Sequence, residues 1–223
     1  MRKPIIYLYS PQPVHAVVQV SLVKAWSFSA VYPNVPIKDS EIGQSVLWEV
    51  DVQKDHTLTT TNGTRVSYLF WEAENTNSIL PFDPSFGRIT NENSVVLRAS
   101  QAAEYLDKAL LALSLHVEAR ISFITYWLPS ILKHDYVALT FLPQSSYSCA
   151  APLSVDPKPD IITRVFMLFK RVHDDELVEW EGALTRAFEE VDCWKGVVGV
   201  DGDGMDDEAL FRVFEWGGME VVH

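Results

Sequence analysis

The sequence predicts an α+β fold: a largely antiparallel twisted sheet or a small β-sandwich, with two or three helices packed on one side. Three observations support this prediction. Apolar residues alternate with period two in much of residues 14–53, as in strands with one buried face. The apolar spacing becomes three and four residues between 100 and 133, which is typical of helices. Strand-like apolar runs return at 136–142 and 164–170.

The first 75 residues are predicted to be rich in strands. Apolar side chains occupy every second position in several runs, so one face of each strand is expected to be buried. Proline cannot donate to a strand ladder, so Pro33 and Pro36 are expected to end the second run. The alternation is clearest in residues 14–22, 26–32 and 46–53.

A β-hairpin is predicted from about His56 to Trp71. Asn62-Gly63 lies between β-branched residues, and this pair favours a type I′ turn, in which both central residues take positive φ. The second arm ends in residues 68–71, which are apolar on both faces, so this strand is expected to be central and covered on both sides. A second doubly apolar run, residues 165–169, is predicted to lie beside it in the interior.

Three helices are predicted. The first two form a helical hairpin in residues 100–133, with Ser100 as the first N-cap and Pro129 kinking the second helix or ending it early. The third runs from residue 174 or 175 to about 191. The side chains expected to face inward are Leu106, Leu110 and Leu113 in the first helix, Ile121, Ile124, Leu128 and Ile131 or Leu132 in the second, and Leu177, Trp180, Leu184, Phe188 and Val191 in the third.

The length of the chain is compatible with one core, and a single domain is predicted over residues 1–223. A closing strand is expected at 210–216. The predicted parts are a strand-rich segment at 1–75, a polar loop at 75–99, the helical hairpin at 100–133, and strands with one helix at 136–223, including an extended linker at 152–160.

The charge and the cysteine content restrict the possible partners. The formal net charge is −12, from 30 acidic and 18 basic residues, which repels phosphate backbones and anionic lipid headgroups. We therefore expect no nucleic-acid partner and no membrane association. The only cysteines are Cys149 and Cys193, and the apolar run after Lys3 is too short for a signal peptide, so a cytoplasmic protein is predicted.

Several short phrases occur in a characteristic order along nearly the whole chain. They are KPIIYLY (3–9), AVYP (30–33), YLFWE (68–72), YWLP (126–129), PKPD (157–160) followed by RVFM (164–167), and EWGG (215–218). In this combination the chain resembles a family with no assigned activity, found in mushroom-forming fungi and in some bacteria, that opens with a KPxIYLYP-like phrase. Ser10 departs from that phrase, in which proline is expected. The resemblance implies a shared fold and supplies no catalytic residue.

Glu72 and Glu74 are the first candidates for chemistry. If the strand continues past Trp71, the two residues share a face with Cα atoms roughly 6.5–7 Å apart, a separation suited to acid–base catalysis. The preferred alternative is a strand that runs out into solvent, with Glu74 in the loop. Glu72 alone adjoins a segment expected to be buried, where a carboxylate needs a partner. Arg164 is the expected partner, in a structural ion pair.

His134 is the third candidate, because it lies at a junction between a helix and a strand. It could act as a base oriented by Asp135. The preferred alternative is a helix C-terminus, where Lys133 and His134 interact favourably with the helix dipole.

Aromatic residues beside carboxylates are candidates for ligand contacts. Trp71, Glu74, Tyr126, Trp127 and Trp216 could line a small-molecule cleft, although most of the aromatic rings are expected to be core anchors. The six histidines are scattered without HxH or HExxH spacing, so no metal site is predicted. GxGxxG and P-loop motifs are absent from the sequence, so no cofactor is predicted.

The leading functional hypothesis is a non-catalytic cytoplasmic binding or interaction protein, with a small neutral or cationic ligand. It leads because each catalytic template lacks a required residue. The first alternative is a small-molecule enzyme of the acid–base type, a hydrolase or isomerase, with Glu72, His134 and Arg164 in a cleft between sheet and helices. The second is a homo-oligomeric structural protein built on exposed aromatic edges.

Overall fold

The computed structural model describes residues 1–76, 88–200 and 202–221. These residues form two largely antiparallel sheets together with helices, which confirms the α+β fold class. In chain order the elements are β1 (Arg2–Tyr9), β2 (Val14–Ser21), β3 (Trp26–Tyr32), β4 (Lys38–Ser40), β5 (Gly43–Val52), β6 (Leu58–Thr60), β7 (Arg65–Val66), β8 (Leu69–Asn75), β9 (Val95–Arg98), α1 (Ala102–Ala112), α2 (Val117–Ile131), β10 (Tyr136–Phe141), α3 (Gln144–Ala150), β11 (Leu153–Asp156), β12 (Ile161–Val172), α4 (Glu181–Arg186), α5 (Cys193–Val198), α6 (Gly202–Met205) and β13 (Arg212–Glu220).

The chain divides into two compact units, and each unit is built from three segments. The prediction of a single domain stays a prediction. The polar loop predicted at 75–99 lies in part outside the described residues, because 77–87 are not among them. Unit 1 comprises Met1–Phe86, Gln144–Arg164 and Asp203–Gly218, and unit 2 comprises Gly87–Pro143, Val165–Gly202 and Met219–His223.

The strands of unit 1 follow the period-two pattern of the sequence. One group has the order β3-β8-β1-β13, and the other has the order β11-β2-β5-β6-β7 with β4 beside β5. β2 and β5 pair antiparallel, and their alternate side chains are buried. Trp48 is buried in this layer and donates its indole N–H to Pro33 O at 2.9 Å. The strands predicted at 14–22, 26–32 and 46–53 are confirmed.

β5 begins at Gly43, where a side chain does not fit. The φ angle of Gly43 is +138°, and an added Cβ would lie 1.9 Å from Leu22 O. Gly43→Ala should therefore destabilise the folded protein by about 2–3 kcal/mol, through backbone strain and displacement of Leu22. Urea unfolding measures this change. The matched control is Gly196→Ala in α5, where an added Cβ meets nothing within 4 Å, and an equal loss in both variants would contradict the prediction.

The hairpin at Asn62-Gly63 is confirmed, but its turn is of another type. β6 pairs antiparallel with β7, and Gly63 has a positive φ whereas Asn62 does not. The Gly63 N–H donates to Thr60 O, and the Thr60 N–H donates to Thr64 O. This is a type I turn followed by a glycine bulge, not the predicted type I′ turn.

β8 has a different sheet environment from the one predicted. β1 and β3 pair with its two edges, so the expected placement beside residues 165–169 is wrong. Leu69, Trp71 and Ala73 are buried on one face, while Phe70 and Glu72 on the other face are only half-buried. The second arm of the hairpin is also shorter than expected, because β7 ends at Val66 and the chain then enters the other strand group.

The strands of unit 2 are β9, β10 and the part of β12 after Arg164. β10 pairs antiparallel with β9 on one edge and with β12 on the other. Residues 163–169 of β12 are all buried, so the predicted burial of both faces of this run is confirmed. Trp127 of α2 packs against Phe169, while Lys170 lies over the ring of Trp180. Because successive strand residues point to opposite faces, helical elements cover both faces of these strands.

The predicted helical hairpin is formed by α1 and α2, but the buried face of α2 is different from the predicted one. Buried residues recur every fourth position, and Ile121 is 56% exposed, so its predicted inward orientation is wrong. Ile124 and Leu128 are only partly buried, whereas Ile131 is buried as predicted. The buried stripe of α2 consists of Ala119, Phe123, Trp127 and Ile131.

The ends of the two helices also differ from the predictions. Gln101 is the N-cap residue of α1, after a 3-10 turn at Ala99–Gln101, so the expected cap at Ser100 is wrong. α2 begins after His116, whose Nδ1 accepts from the Ala119 N–H at 3.2 Å. Pro129 lies inside α2 near its C-terminus and does not end it.

The continuous third helix predicted from 174 or 175 to 191 is wrong. A 3-10 helix, Asp174–Trp180, is followed by the short α4. Leu177 and Trp180, which are three residues apart in the 3-10 helix, pack with Ala183 of α4 in one core cluster. The α-helical period assumed from the sequence is therefore lost, and Phe188 is 89% exposed instead of buried.

The remaining part of the chain contains four elements that were not predicted, α3, β11, α5 and α6, and β9 lies within the segment predicted to be a polar loop. β11 pairs with β2, so the segment expected to be a linker is partly a strand. The closing strand predicted at 210–216 is confirmed as β13. Within the parts of the chain that the structure describes, no helix combines the length and apolar character that a bilayer crossing requires.

Candidate functional site

Glu72 and Glu74 lie on the same face of β8, because the strand continues to Asn75. The alternative in which Glu74 lies in a loop is therefore wrong. The side chain of Glu72 is 15% exposed, and its carboxylate accepts from the Lys3 backbone N–H at 3.1 Å and from Arg2 Nη1 at 3.2 Å. Glu74 is exposed. The two carboxylates thus have different environments.

Arg164 forms an ion pair with Glu215, so the expected pair between Glu72 and Arg164 is wrong. The side chains of Arg164 and Glu215 are 3% and 0% exposed. The Arg164 guanidinium also donates to Ser148 Oγ at 3.1 Å and lies 4.0 Å from the centre of the Tyr147 ring. We call Arg164, Glu215, Trp71, Tyr147 and Ser148 the buried charge cluster.

The hydrogen bonds of this cluster hold both charges in place. Glu215 Oε1 accepts from Trp71 Nε1 at 2.9 Å and from the Tyr147 hydroxyl at 3.2 Å. Burial raises the pKa of Tyr147 well above its ordinary value, so this hydroxyl is a donor at neutral pH. Burial by itself lowers the pKa of Arg164, but Glu215 and Tyr147 outweigh that effect and the pKa is raised. The geometry is that of a structural ion pair in which both carboxylate oxygens of Glu215 accept hydrogen bonds.

His134 lies after α2 in unit 2 and contacts a different carboxylate from the one considered in the sequence. Its Nε2 is 2.9 Å from Glu220 Oε1, and its side chain is mostly buried. Its backbone N–H donates to Ile131 O at the end of the helix. Thus Glu72, Arg164 and His134 each have a separate acidic or basic partner. Their catalytic roles stay a prediction.

The indole rings chosen as ligand contacts are core side chains. Trp71, Trp127 and Trp216 are buried. The phenol ring of Tyr126 is partly exposed and lies edge-on to the ring of Trp127, with 4.9 Å between the two ring centres. These rings stabilise the interior through the apolar area that they remove from water. Their role in ligand binding stays a prediction, as does that of Glu74.

An open cleft of about 610 Å³ lies in unit 2, and we call it the unit 2 cleft. Its floor is mainly apolar and aromatic, while its rim carries charges of both signs. Such a combination is typical of ligand sites. The floor is formed by Val96, Leu97, Tyr105, Tyr136, Leu184, Ala187 and Val191, and the rim by Arg98, Gln101, Glu104, Lys108, Phe188, Glu189 and Glu190.

The basic side chains of the rim already have partners. The Arg98 guanidinium lies 4.9 Å from the centre of the Tyr136 ring, and Lys108 Nζ bonds to Glu104 at 2.8 Å. Within the described ranges, no cation is bonded to the exposed carboxylates of Glu189 or Glu190. The rim carries the carboxylates of Glu104, Glu189 and Glu190 against the two basic groups, so its net formal charge is negative.

Tyr105 is the buried polar group of the cleft floor. Its hydroxyl accepts from Trp194 Nε1 at 2.8 Å. Burial raises its pKa from 10.0 to about 12, because the phenolate loses hydration. At neutral pH this hydroxyl is protonated and retains a hydrogen to donate.

The raised pKa of Tyr105 predicts a loss of stability in alkali. The folded state favours the neutral phenol, so this contribution is complete below pH 10 and is lost as the pH rises towards 12. The loss should reach on the order of 2 kcal/mol. Urea unfolding of the wild type and of Tyr105→Phe at increasing pH measures it. The free energy of the variant should fall less steeply above pH 10, and parallel curves would contradict the prediction.

Among the described residues, no group of three or more His, Cys, Asp or Glu side chains is placed to hold a metal ion. Comparisons with family models, with curated proteins and with solved structures found no match for this chain. The fold and the sites therefore define an α+β protein with an internal ion pair in unit 1 and an open cleft in unit 2.

Several residues of these sites were missed in the sequence. Glu215 had a usable signal, because it is a lone carboxylate within the apolar run of β13 and such a charge needs a partner. Tyr147 and Tyr105 had none, since their partners are distant in sequence. Phe188 was assigned to the core from its helical spacing, but it lies beyond the end of α4 and is exposed.

Proposed function

We propose that the protein is a non-catalytic binding protein and that the unit 2 cleft is its ligand site. The observation that carries this proposal is the exposure of Phe188 at the rim of a cleft whose floor is aromatic. A large apolar side chain that is 89% exposed beside a concave surface favours a contact with another molecule.

The ligand has a cationic group and an apolar body. The carboxylates of Glu189 and Glu190 attract a cation, and Phe188 offers a ring face to it. The apolar floor accepts the body, while the Tyr105 hydroxyl can donate to a polar atom. The formal net charge of −12 acts in the same direction, because it repels anions from the whole surface.

The proposed ligand class is tested with three phenyl compounds that differ in charge: the cation phenethylammonium, the neutral phenethyl alcohol and the anion phenylacetate. Titration calorimetry on the full chain should show binding in the order cation, neutral, anion. Phe188→Ala and the double variant Glu189→Gln/Glu190→Gln should each weaken binding of the cation about five- to tenfold, from the loss of cation–π and ionic contacts.

Val178→Ala is the matched control, because Val178 is also an exposed apolar residue of unit 2 and does not line the cleft. It should bind the cation as the wild type does. Equal affinities for the three charge states, or unchanged affinity in both rim variants, would exclude the cleft as the site of a cationic ligand.

We also propose a cytoplasmic location. Cys149 and Cys193 are both exposed free thiols, which suits a reducing compartment. Under this proposal neither nucleic acid nor an anionic membrane is a partner, because the acidic surface repels both.

A further inference from the structure

The outer face of α2 is apolar, although it is exposed. Val117, Ile121 and Leu132 are each more than half exposed. Thr125 is exposed as well, and Leu128 is partly buried. These five residues follow one another at spacings of three and four residues, so they form one stripe along the helix and its C-cap, which we call the outer stripe of α2. It lies apart from the buried stripe, and a helix that is apolar on more than one face is normally covered on each.

The neighbouring helix α1 has the usual composition of an exposed face. Its exposed residues include Glu104, Asp107 and Lys108. In α2, by contrast, Arg120 is the only charged residue between positions 119 and 132. Its Nε lies 3.2 Å from Asp107 Oδ1, and its side chain is only 15% exposed. The outer stripe therefore lacks the charges that keep an exposed helix face hydrated, which favours a contact with another apolar surface.

The polar residue in the middle of the outer stripe can be covered without loss of a hydrogen bond. The Thr125 hydroxyl donates to Ile121 O at 2.7 Å, within the helix itself. Because the hydroxyl hydrogen is already used, an apolar partner placed over Thr125 leaves no orphan donor there.

We propose that the outer stripe of α2 is a self-association surface, on which a second copy of this chain places the same helix in the antiparallel direction. The stripe matches itself in this orientation. Val117 then lies opposite Leu132 of the second copy, while Ile121 lies opposite Leu128 and Thr125 lies next to the two-fold axis. Such a contact is isologous and closes as a dimer.

The charges at the two ends of α2 favour this arrangement. Glu118 is exposed in the first turn, and Lys133 is exposed just after the last turn. In an antiparallel pair each Glu118 lies near Lys133 of the other copy, and the helix dipoles are opposed, whereas a parallel pair brings like charges together. An anionic lipid surface fits less well, because helices that lie on such membranes carry several Lys or Arg residues beside the apolar face.

The dimer surface is separate from the proposed ligand site. Both lie in unit 2, but of the described residues that line the unit 2 cleft none belongs to α2. Association can therefore be measured without ligand, and failure of one proposal leaves the other intact.

Sedimentation equilibrium on the full chain tests the surface. The weight-average mass should rise from one chain towards two between about 5 μM and about 1 mM, because one helix from each copy makes a small interface with a Kd on the order of 100 μM. Ile121→Glu should remain at one chain over the whole range. Val178→Glu is the matched control, since it places the same charge at an exposed apolar residue of unit 2 outside α2, and it should associate as the wild type does.

Two results would overturn the proposal: a wild type that stays at one chain, or equal association of Ile121→Glu and Val178→Glu. Circular dichroism verifies that both variants are folded. Binding of α2 to lipid vesicles by a chain that remains monomeric belongs to the first of these results.

Cysteine cross-linking tests the antiparallel direction. Thr125→Cys and Val117→Cys are made separately in a background in which the exposed Cys149 and Cys193 are replaced by serine. The two copies of residue 125 lie beside the axis, so a short bis-maleimide reagent should join them. The two copies of residue 117 lie about 22 Å apart in the antiparallel pair, at 1.5 Å per residue, so they should stay mostly unlinked. Equal yields at the two positions would overturn this orientation.

Discussion

Arg164→Met is expected to destabilise the folded protein by about 3–5 kcal/mol. The substitution leaves the carboxylate of Glu215 fully buried without its cation, and the hydrogen bonds from Trp71 and Tyr147 do not replace that charge. Urea unfolding followed by circular dichroism measures the loss. Adding Glu215→Leu to this variant should recover part of the stability, because the uncompensated charge is then removed as well.

The exposed ion pair between Arg65 and Asp55 is the matched control for the buried charge cluster. Both of its side chains are more than half exposed. Asp55→Asn should therefore change the free energy of unfolding far less than Arg164→Met does. A similar small change in Arg164→Met would show that Glu215 finds water or a new partner, and would contradict the description of this cluster as a structural ion pair.

Phe123→Ala should cost about 3–5 kcal/mol, because it removes a fully buried ring from the stripe that α2 packs inward. Ile121→Ala in the same helix is the control. Its side chain is 56% exposed, so the expected change is within about 0.5 kcal/mol. Urea unfolding measures both. The sequence alone predicts a larger loss of stability for Ile121→Ala, since its spacing places Ile121 inward. A larger loss for Ile121→Ala than for Phe123→Ala would therefore contradict the buried face of α2 described above.

The unit 2 cleft and the buried charge cluster have different environments. The unit 2 cleft has exposed side chains at an open rim, which suits reversible binding. The buried charge cluster, in contrast, contains the strongest interactions but is closed to solvent, so its effect is expected on stability alone.

The local pattern was sufficient for the strands because their signal requires only neighbouring residues. The alternation through Val14–Ser21 and Gly43–Val52 places one face inward whatever the partner strand is. The same reasoning located the turn at Asn62-Gly63. It did not identify the turn type, because the bulge depends on the hydrogen bonds of Thr60 with Gly63 and Thr64.

The helical hairpin was located correctly and the predicted inward residues of α1 are buried, but the inward face of α2 was not predicted. In α2 most positions are apolar and they lie on more than one face, so Ile121 and Phe123 are equally good core candidates by composition. Packing against neighbouring elements makes the choice. After β12, the helical period itself was misjudged, because a 3-10 helix with its i, i+3 spacing replaces the first part of the α-helix and directs Leu177 and Trp180 inward.

The sequence by itself determined the α+β class, the positions of most strands and the helical hairpin, since each follows from periodicity within about ten residues. It also identified Glu72 and Arg164 as carboxylate and cation needing partners. Only the tertiary structure decided that Glu72 accepts from Arg2 and from the Lys3 backbone N–H, and that Arg164 pairs with Glu215. It also decided the exposure of Phe188. The physical reason is that an ion pair forms between groups that the fold brings within a few ångströms of each other. The number of residues between two groups in the sequence does not give their distance in space.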